Sequence, residues 1–180
     1  MTEFKNILVI DLTKLGAAYS IINSFVDGVV VHVFEVSPIG TGAVLILASK
    51  DIIALKFIEK ETTSFFKADV LSIGLIENIS EELIAAYLSQ NTPKIAKNLL
   101  VIEEKSFAKA FQVGFAASNK AIKIVDFRVI RTSSPNLILT FSDDSIEKLN
   151  QLSGDLAVSK FTVIEKIQPT VKAFFETLIN

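Results

Sequence analysis

The chain has 180 residues, a formal net charge of −2, one histidine and no cysteine. The near-neutral charge provides no global basic field that would recruit nucleic acid or a membrane surface. The missing cysteine excludes disulfides, thiolate metal sites and cysteine nucleophiles, while an apolar half of the chain supplies ample material for a core.

The first predicted elements are a strand and a helix. Ile7 to Ile10 is a short run of Ile, Leu and Val typical of a strand. Asp11 interrupts this run, so we expect neither a signal peptide nor a membrane span there. Apolar residues then recur at helical spacing from Leu15 to Val26. Two further strands are predicted over residues 29–36 and 43–48, joined by the turn-forming residues 37–42.

A second helix, a fourth strand and a short third helix complete this pattern. The second helix is predicted to begin near Asp51, and the strand spans Val70 to Ile76. Ser80 is the predicted N-cap of the third helix, because its hydroxyl can accept a hydrogen bond from the first turn. The apolar face of the second helix is predicted to consist of Ile53, Ala54, Phe57 and Ile58.

The second half of the chain repeats the first, which indicates an internal duplication. The segment KNILVID at residues 5–11 returns as KNLLVIE at residues 97–103, an offset of 92. Phe34 is aligned with Phe127 at an offset of 93, and Ile76 with Ile164 at an offset of 88. The smaller last offset predicts a shorter second helix in the second copy.

The elements of the second copy are predicted in the same order. A helix covers residues 107–115, strands cover 122–130 and 137–141, a helix begins near Asp144, and a strand covers 157–164. Pro169 is the predicted first residue of the last helix, where its missing N–H is not needed. That helix is predicted to bury a stripe made of Val171, Phe174, Phe175 and Leu178.

These patterns predict an α/β (α+β) fold of two tandem βαββαβα domains, each an antiparallel-rich sheet with helices packed on it. The turn-rich residues 90–93 form a short junction. We therefore place the first domain at residues 1–92 and the second at residues 93–180. A junction this short favours a fixed arrangement over free tethering.

Each copy resembles the bacterial microcompartment shell domain. The segment from Val101 to Ala108 resembles its first strand, acidic strand end, polar turn and Ala-rich helix. The segment from Phe34 to Val44 is similar to its glycine-containing pore loop and the strand that follows, and Asp51 and Asp144 precede the second helix as an acidic residue does there. The order of elements is not permuted.

The resemblance implies a structural protein of a microcompartment shell in the cytoplasm, and not an enzyme. Tandem members of this family form trimers that imitate a six-domain ring with a central pore. The implied partners are two further copies of the chain, other shell proteins and small metabolites that cross the pore. No cofactor, no metal, no nucleic acid and no membrane is expected.

The resemblance also implies site residues. Lys105 matches an edge lysine that contacts neighbouring tiles; Thr13 stands at that place in the first copy, with Lys14 beside it. The pore lining is expected to consist of Pro38, Ile39, Gly40, Thr41, Gly42, Arg131, Thr132, Ser133, Ser134, Pro135 and Asn136. Arg131 is either a solvated arginine or a cationic group near the trimer axis.

Several alternatives stay open. Tandem domains of this order also serve as regulatory modules that bind a small ligand. A phosphate loop at residues 39–42 is disfavoured, because a strand and not a helix follows it. His32 is interpreted as structural, since no local partner supports a catalytic base. The acidic pairs at 81–82, 103–104 and 143–144 invite an acid–base interpretation, but two of them lie at predicted helix starts, where capping and dipole effects suffice. Phe65 and Phe66 are assigned either to a contact between copies or to one between subunits.

Overall fold

The computed structural model describes residues 4–26, 29–92, 94–130, 136–156, 158 and 160–178. These residues form two compact units that are interleaved along the chain. The first unit comprises described residues within 1–79 and 106–112, and the second those within 80–105, 113–130 and 136–180. The limits 1–92 and 93–180 refer to the two sequence copies, and as domain limits they stay a prediction.

The first unit contains a four-stranded antiparallel sheet in the order β2-β3-β1-β4. Its helices are α1 (Leu15–Ile21), which continues into a π-helical turn over Ile22–Val26, and α2 (Ile52–Phe65). The strands are β1 (Asn6–Leu12), β2 (His32–Ile39), β3 (Gly42–Ser49) and β4 (Val70–Ile76).

The core of this unit lies between the central strands and the helices. β1 is buried over its whole length, as is β3 after Gly42, because both are flanked by strands and covered on a face. Side chains at alternate positions of a strand point to the same face. One face accordingly joins buried residues of both strands to those of the two helices: Leu8, Ile10, Leu12, Leu45, Leu47, Ala18, Ile21, Leu55 and Ile58.

The second unit contains a sheet of the same kind in the order β6-β7-β5-β8. The strands are β5 (Asn98–Glu104), β6 (Lys123–Ile130), β7 (Asn136–Asp143) and β8 (Phe161–Ile164). The helices are α3 (Glu81–Tyr87), α5 (Ile146–Asp155), α6 (Pro169–Leu178) and, from Val113 onwards, α4 (Phe107–Asn119).

The duplication extends to individual hydrogen bonds. The Asn6 side-chain amide donates to the carbonyl oxygens of Ser49 and Lys50, each at 3.2 Å, and accepts from the backbone N–H of Asn78 at 3.2 Å. The second copy repeats all three bonds with Asn98, Asp143, Asp144 and Lys166. The asparagine therefore ties the first strand to two loops in each copy.

The mixed fold with two antiparallel sheets is confirmed. The strand registers also show which residue of the first copy occupies the same place as each residue of the second copy. Ile76 and Ile164 occupy the same place beside the first strand, as predicted, and α5 is shorter than α2. The offset of 93 for β2 and β6 is wrong. Ser37 and Arg128 occupy equivalent places, an offset of 91, because β6 is followed by a longer connection than β2.

Two local predictions are corrected, and the start of one helix is located. The outer positions Ile53 and Phe57 of α2 are exposed, because the sheet lies on the side of Leu55 and Ile58. α5 begins at Ile146, close to the expected start near Asp144, and its N-cap is Ser145, whose hydroxyl accepts from the N–H of Lys148. The stripe of α6 is not buried at Phe174, whose side chain is 58% exposed, while Val171 and Phe175 are half-buried and the side chain of residue 178 lies outside the described part.

Candidate functional site

The first predicted pore turn is a tight hairpin between β2 and β3. Ile39 pairs with Gly42, so only Gly40 and Thr41 connect the strands. Gly40 has a φ of 58°, and glycine with positive φ at the first connecting position is typical of a type II′ turn. A Cβ at Gly42 would lie 2.3 Å from the carbonyl oxygen of Leu12. Ile39 is buried, so Pro38, Gly40 and Thr41 form the exposed part of the turn.

The second predicted pore turn is only partly described. Arg131, Thr132, Ser133, Ser134 and Pro135 lie outside the described residues. Asn136 is the first residue of β7, pairs with Ile130 and is half-buried.

The second unit brings Asn136 and Lys105 to the same cleft. This cleft has a volume of about 280 Å³ and is lined by Glu103, Glu104, Lys105, Asn136 and Lys160. The ammonium group of Lys160 forms an ion pair with Glu103, and the backbone N–H of Lys105 donates to Glu104 Oε1 at 2.7 Å. Two carboxylates and two ammonium groups leave the cleft without a net charge preference.

Lys14, the predicted edge residue of the first copy, forms an ion pair within the first unit. Its Nζ lies 2.8 Å from Asp69 Oδ1, and its side chain remains 63% exposed. Thr13 Oγ1 donates to the same carboxylate at 2.9 Å. The hydrogen bond from Lys14, followed by that from Thr13, holds the pKa of Asp69 below its usual value.

Asp11 has a role that the sequence interpretation missed. Its carboxylate is almost fully buried and accepts hydrogen bonds from the backbone N–H groups of Phe107, at 3.0 Å, and Ala108, at 3.1 Å. The hydroxyls of Ser106, at 2.7 Å, and Ser72 also donate to it. An acidic group at a helix start satisfies free N–H groups and interacts favourably with the dipole. Asp11 therefore caps α4, and its place after an apolar strand was the only signal in the sequence.

The second missed contact is the packing of α3 on β6, which lies within the second unit. The Tyr87 and Phe127 rings meet edge to face, with centroids 5.2 Å apart. Glu82 Oε1 accepts from the backbone N–H of Ile124 at 3.1 Å, and the Asn91 side chain donates to the Ile124 carbonyl at 3.0 Å. β6 is an edge strand of its sheet, and free edges of sheets invite further pairing. A helix of the first copy thus covers the edge of the second copy's sheet.

The last acidic pair carries structural bonds. Asp143 and Asp144 accept from the backbone N–H groups of Ser145 and Lys97. His32 begins β2 on an exposed position. Within the part of the chain that the structure describes, no three His, Cys, Asp or Glu residues are grouped so that they could hold a metal ion. Among the same residues, every helix is too short or too polar to cross a bilayer.

Phe65 and Phe66, left open by the sequence, belong to an aromatic cluster in the first unit. The ring centroid of Phe25 lies 6.2 Å from that of Phe65, 5.9 Å from that of Phe66 and 6.4 Å from that of Phe57. Phe65 remains largely exposed. The cluster closes the π-helical turn against α2 and leaves an apolar outer surface.

No family model matches the sequence, and no curated protein matches it. Among solved structures, a microcompartment protein from Desulfitobacterium hafniense has a TM-score of 0.72 at 15% identity, over 94% of this chain and 99% of that chain. The expected fold is thereby confirmed over nearly the whole chain.

Two other solved structures have much lower scores. An unknown protein from Galdieria sulphuraria has a TM-score of 0.31 at 14% identity, covering 92% of this chain and all of that chain. A chlorite dismutase variant from Candidatus Nitrospira defluvii has a TM-score of 0.31 at 7% identity, over 99% and 98% of the two chains. Neither bears on function.

Proposed function

We propose that this chain is a structural shell protein of a bacterial microcompartment. In this proposal three copies form a pseudo-hexameric tile with a central pore for small metabolites, and the tiles join other shell proteins around a cytoplasmic compartment. The observation that carries the proposal is the shared fold, with a TM-score of 0.72, with a microcompartment protein over 94% of the chain. The duplication supports it, since three chains supply six similar domains to one ring.

The pore of the tile is assigned to the two β-hairpin turns. Pro38, Gly40 and Thr41 are exposed at a turn where glycine lets the backbone reverse direction within two residues. Residues 131–136 are the corresponding segment of the second copy. Glycine in the first turn leaves room at a symmetry axis, and a hydroxyl such as that of Thr41 can donate to a polar solute.

The edge of the tile is assigned to Lys105 and Lys14. Both side chains lie on the surface, and the ammonium group of Lys14 is oriented by Asp69. An ammonium group carries three donors and can reach backbone carbonyls of a neighbouring tile. In the proposal the chain has no catalytic role and needs no cofactor.

Solution mass and electron microscopy test this function. We expect a trimer of the 19.7 kDa chain and flat sheets of tiles at high protein concentration. A monomer that forms no sheets contradicts the proposal. A dimer whose melting temperature rises with an amino acid or a nucleotide supports the alternative regulatory function, because a ligand that binds the folded state stabilises it.

A further inference from the structure

The turn that follows the first strand differs in charge between the two copies. The first strands match at an offset of 92, so Glu104 corresponds to Leu12. One residue further on, Lys105 corresponds to Thr13. Leu12 is buried, whereas Glu104 is half-buried and Lys105 is exposed. A carboxylate and an ammonium group thus stand together at this turn in the second copy, where the first copy has a core leucine and a threonine.

The two charges of the second-copy turn are complementary to a second copy of themselves. Both Glu104 and Lys105 line the cleft described above, and the backbone N–H of Lys105 donates to Glu104 Oε1 at 2.7 Å, which keeps the carboxylate beside the lysine. A contact across a two-fold axis places each residue of a pair against the other residue of the neighbouring pair. Two such turns that meet in this way form two ion pairs between Glu104 and Lys105.

The first-copy turn is not complementary to itself, because its carboxylate is occupied within its own unit. Asp69 accepts from the Lys14 ammonium group at 2.8 Å and from the Thr13 hydroxyl at 2.9 Å. The side chain of Asp69 is 22% exposed, and that of Lys14 is 63% exposed. A two-fold contact between two such turns would bring two ammonium groups together without an accessible carboxylate between them, and like charges repel.

We propose that the tile has two unlike kinds of edge, which alternate around it and take different neighbours. The second-copy edge, formed by Glu104 and Lys105, pairs with the same edge of another tile of this chain. The first-copy edge, formed by Thr13 and Lys14, takes a different shell protein. The inference rests on the proposed function for the ring of six domains and for the position of both turns at the rim of the tile.

The alternation of edges determines the sheet that the chain forms by itself. Hexagonal tiles that join through all their edges form a close-packed sheet, whereas tiles that join through alternate edges form an open lattice of hexagonal rings. Each opening in that lattice has the size of one tile and is bordered on every side by first-copy edges. The partner that fits the opening is a shell tile of equal size with identical edges, which offer hydrogen-bond acceptors to Lys14.

Charge substitutions at the second-copy edge test the pairing by electron microscopy at low ionic strength, where surface charges are least screened. The wild-type chain should form an open lattice with regular openings one tile wide. Glu104→Lys leaves two ammonium groups at this edge and Lys105→Glu leaves two carboxylates, so tiles of either variant alone should repel one another and form no lattice. Lys60→Glu reverses an exposed charge on α2 and is the control, which should form the wild-type lattice.

An equal mixture of Glu104→Lys and Lys105→Glu tiles provides the sharper test. In an open hexagonal lattice two types of tile can alternate so that every tile has neighbours of the other type only. The mixture should therefore restore the lattice that each variant loses. A close-packed sheet contains triangles of mutual neighbours, which two alternating types cannot satisfy, so restoration by mixing distinguishes the two arrangements.

Solution mass separates a failure of this inference from a failure of the proposed function. The wild type and both charge variants should all be trimers with the same circular dichroism spectrum, because the exchanged charges lie between tiles. Wild-type sheets that are close-packed or absent, sheets from either variant alone, or a mixture without a lattice overturn the unlike edges and leave the trimeric tile standing. A wild-type monomer overturns the proposed function itself.

Discussion

The carboxylate of Asp11, in β1, accepts a hydrogen bond from the backbone N–H of Phe107, which lies 96 residues further along the chain. Ala108 and Ser106 donate to the same group. One side chain of the first copy therefore satisfies the start of a helix whose sequence belongs to the second copy. The stability of α4 depends on a residue outside the copy that encodes it.

Replacing Asp11 by alanine should lower the free energy of unfolding by about 2–3 kcal/mol, because a helix cap is lost and buried donors are left without an acceptor. Urea unfolding followed by circular dichroism measures this loss. Asp11→Asn, which retains one acceptor oxygen, should lose less. Equal stability of the alanine variant and the wild type would show that α4 does not need this cap.

The close approach of Gly114 to Leu83 predicts a steric penalty. Gly114→Ala should destabilise the protein by about 1–3 kcal/mol, because the added Cβ would lie only 2.4 Å from Cδ1 of the buried Leu83. Gly154→Ala, in α5, is the control. Nothing lies within 4 Å of its Cβ position, so it should gain up to about 1 kcal/mol from helix propensity. Thermal melts of both variants measure these two changes in stability. Adding Leu83→Ala should restore part of the stability that Gly114→Ala loses.

The ion pair of Lys14 predicts a perturbed titration. The pKa of Asp69 should lie below its ordinary value of 3.8 and should rise in Lys14→Ala. Carboxyl NMR titration measures both values. Because the folded pKa is lowered, the stabilisation is present above the ordinary pKa and is lost as the pH falls through the folded pKa.

Glu147 is an internal control for the same titration. Its pKa is lowered by its own backbone N–H and by the Ser145 hydroxyl, with no contribution from Lys14. Its titration should not change in Lys14→Ala. An Asp69 pKa that also stays unchanged would mean that the ion pair does not persist in solution.

The edge assignment predicts a separation of two assembly steps. Lys105→Ala should leave the trimer intact and should impair the formation of flat sheets, because the contact lies between tiles and not within one. Electron microscopy of the variant beside Lys56→Ala, which removes another exposed lysine, provides the comparison. Normal sheets from Lys105→Ala would end the assignment of this residue to the edge.

The order of elements could be predicted from the sequence because each copy has clear periodic patterns, and because capping residues, prolines and turn residues mark where the elements begin and end. β4 has the predicted bounds, Ser80 caps α3, and Pro169 begins α6. The correspondence of the copies was less accurate at β2. A similarity of three residues beginning at Phe34 suggests an offset of 93 between the copies. The true offset of 91 follows from the register in which β2 pairs with β3, and a comparison of the two sequences does not contain that pairing.

Contacts between copies could not be predicted, since they join residues that no local pattern connects. Glu82 was interpreted through the helix dipole, and its actual partner is the backbone N–H of Ile124. Phe174 has helical spacing that indicates a buried stripe, but periodicity identifies a face without identifying what covers it.

The fit of Leu83 against Gly114 also makes the two halves unequal. A chain assembled from two first copies would carry Ile22 where the second copy has Gly114, and the leucine would have no space. The two copies therefore differ at a position where packing requires a glycine in only one of them. A chain with the first half in both places would therefore lose the close packing of Leu83 on α4 and be less stable.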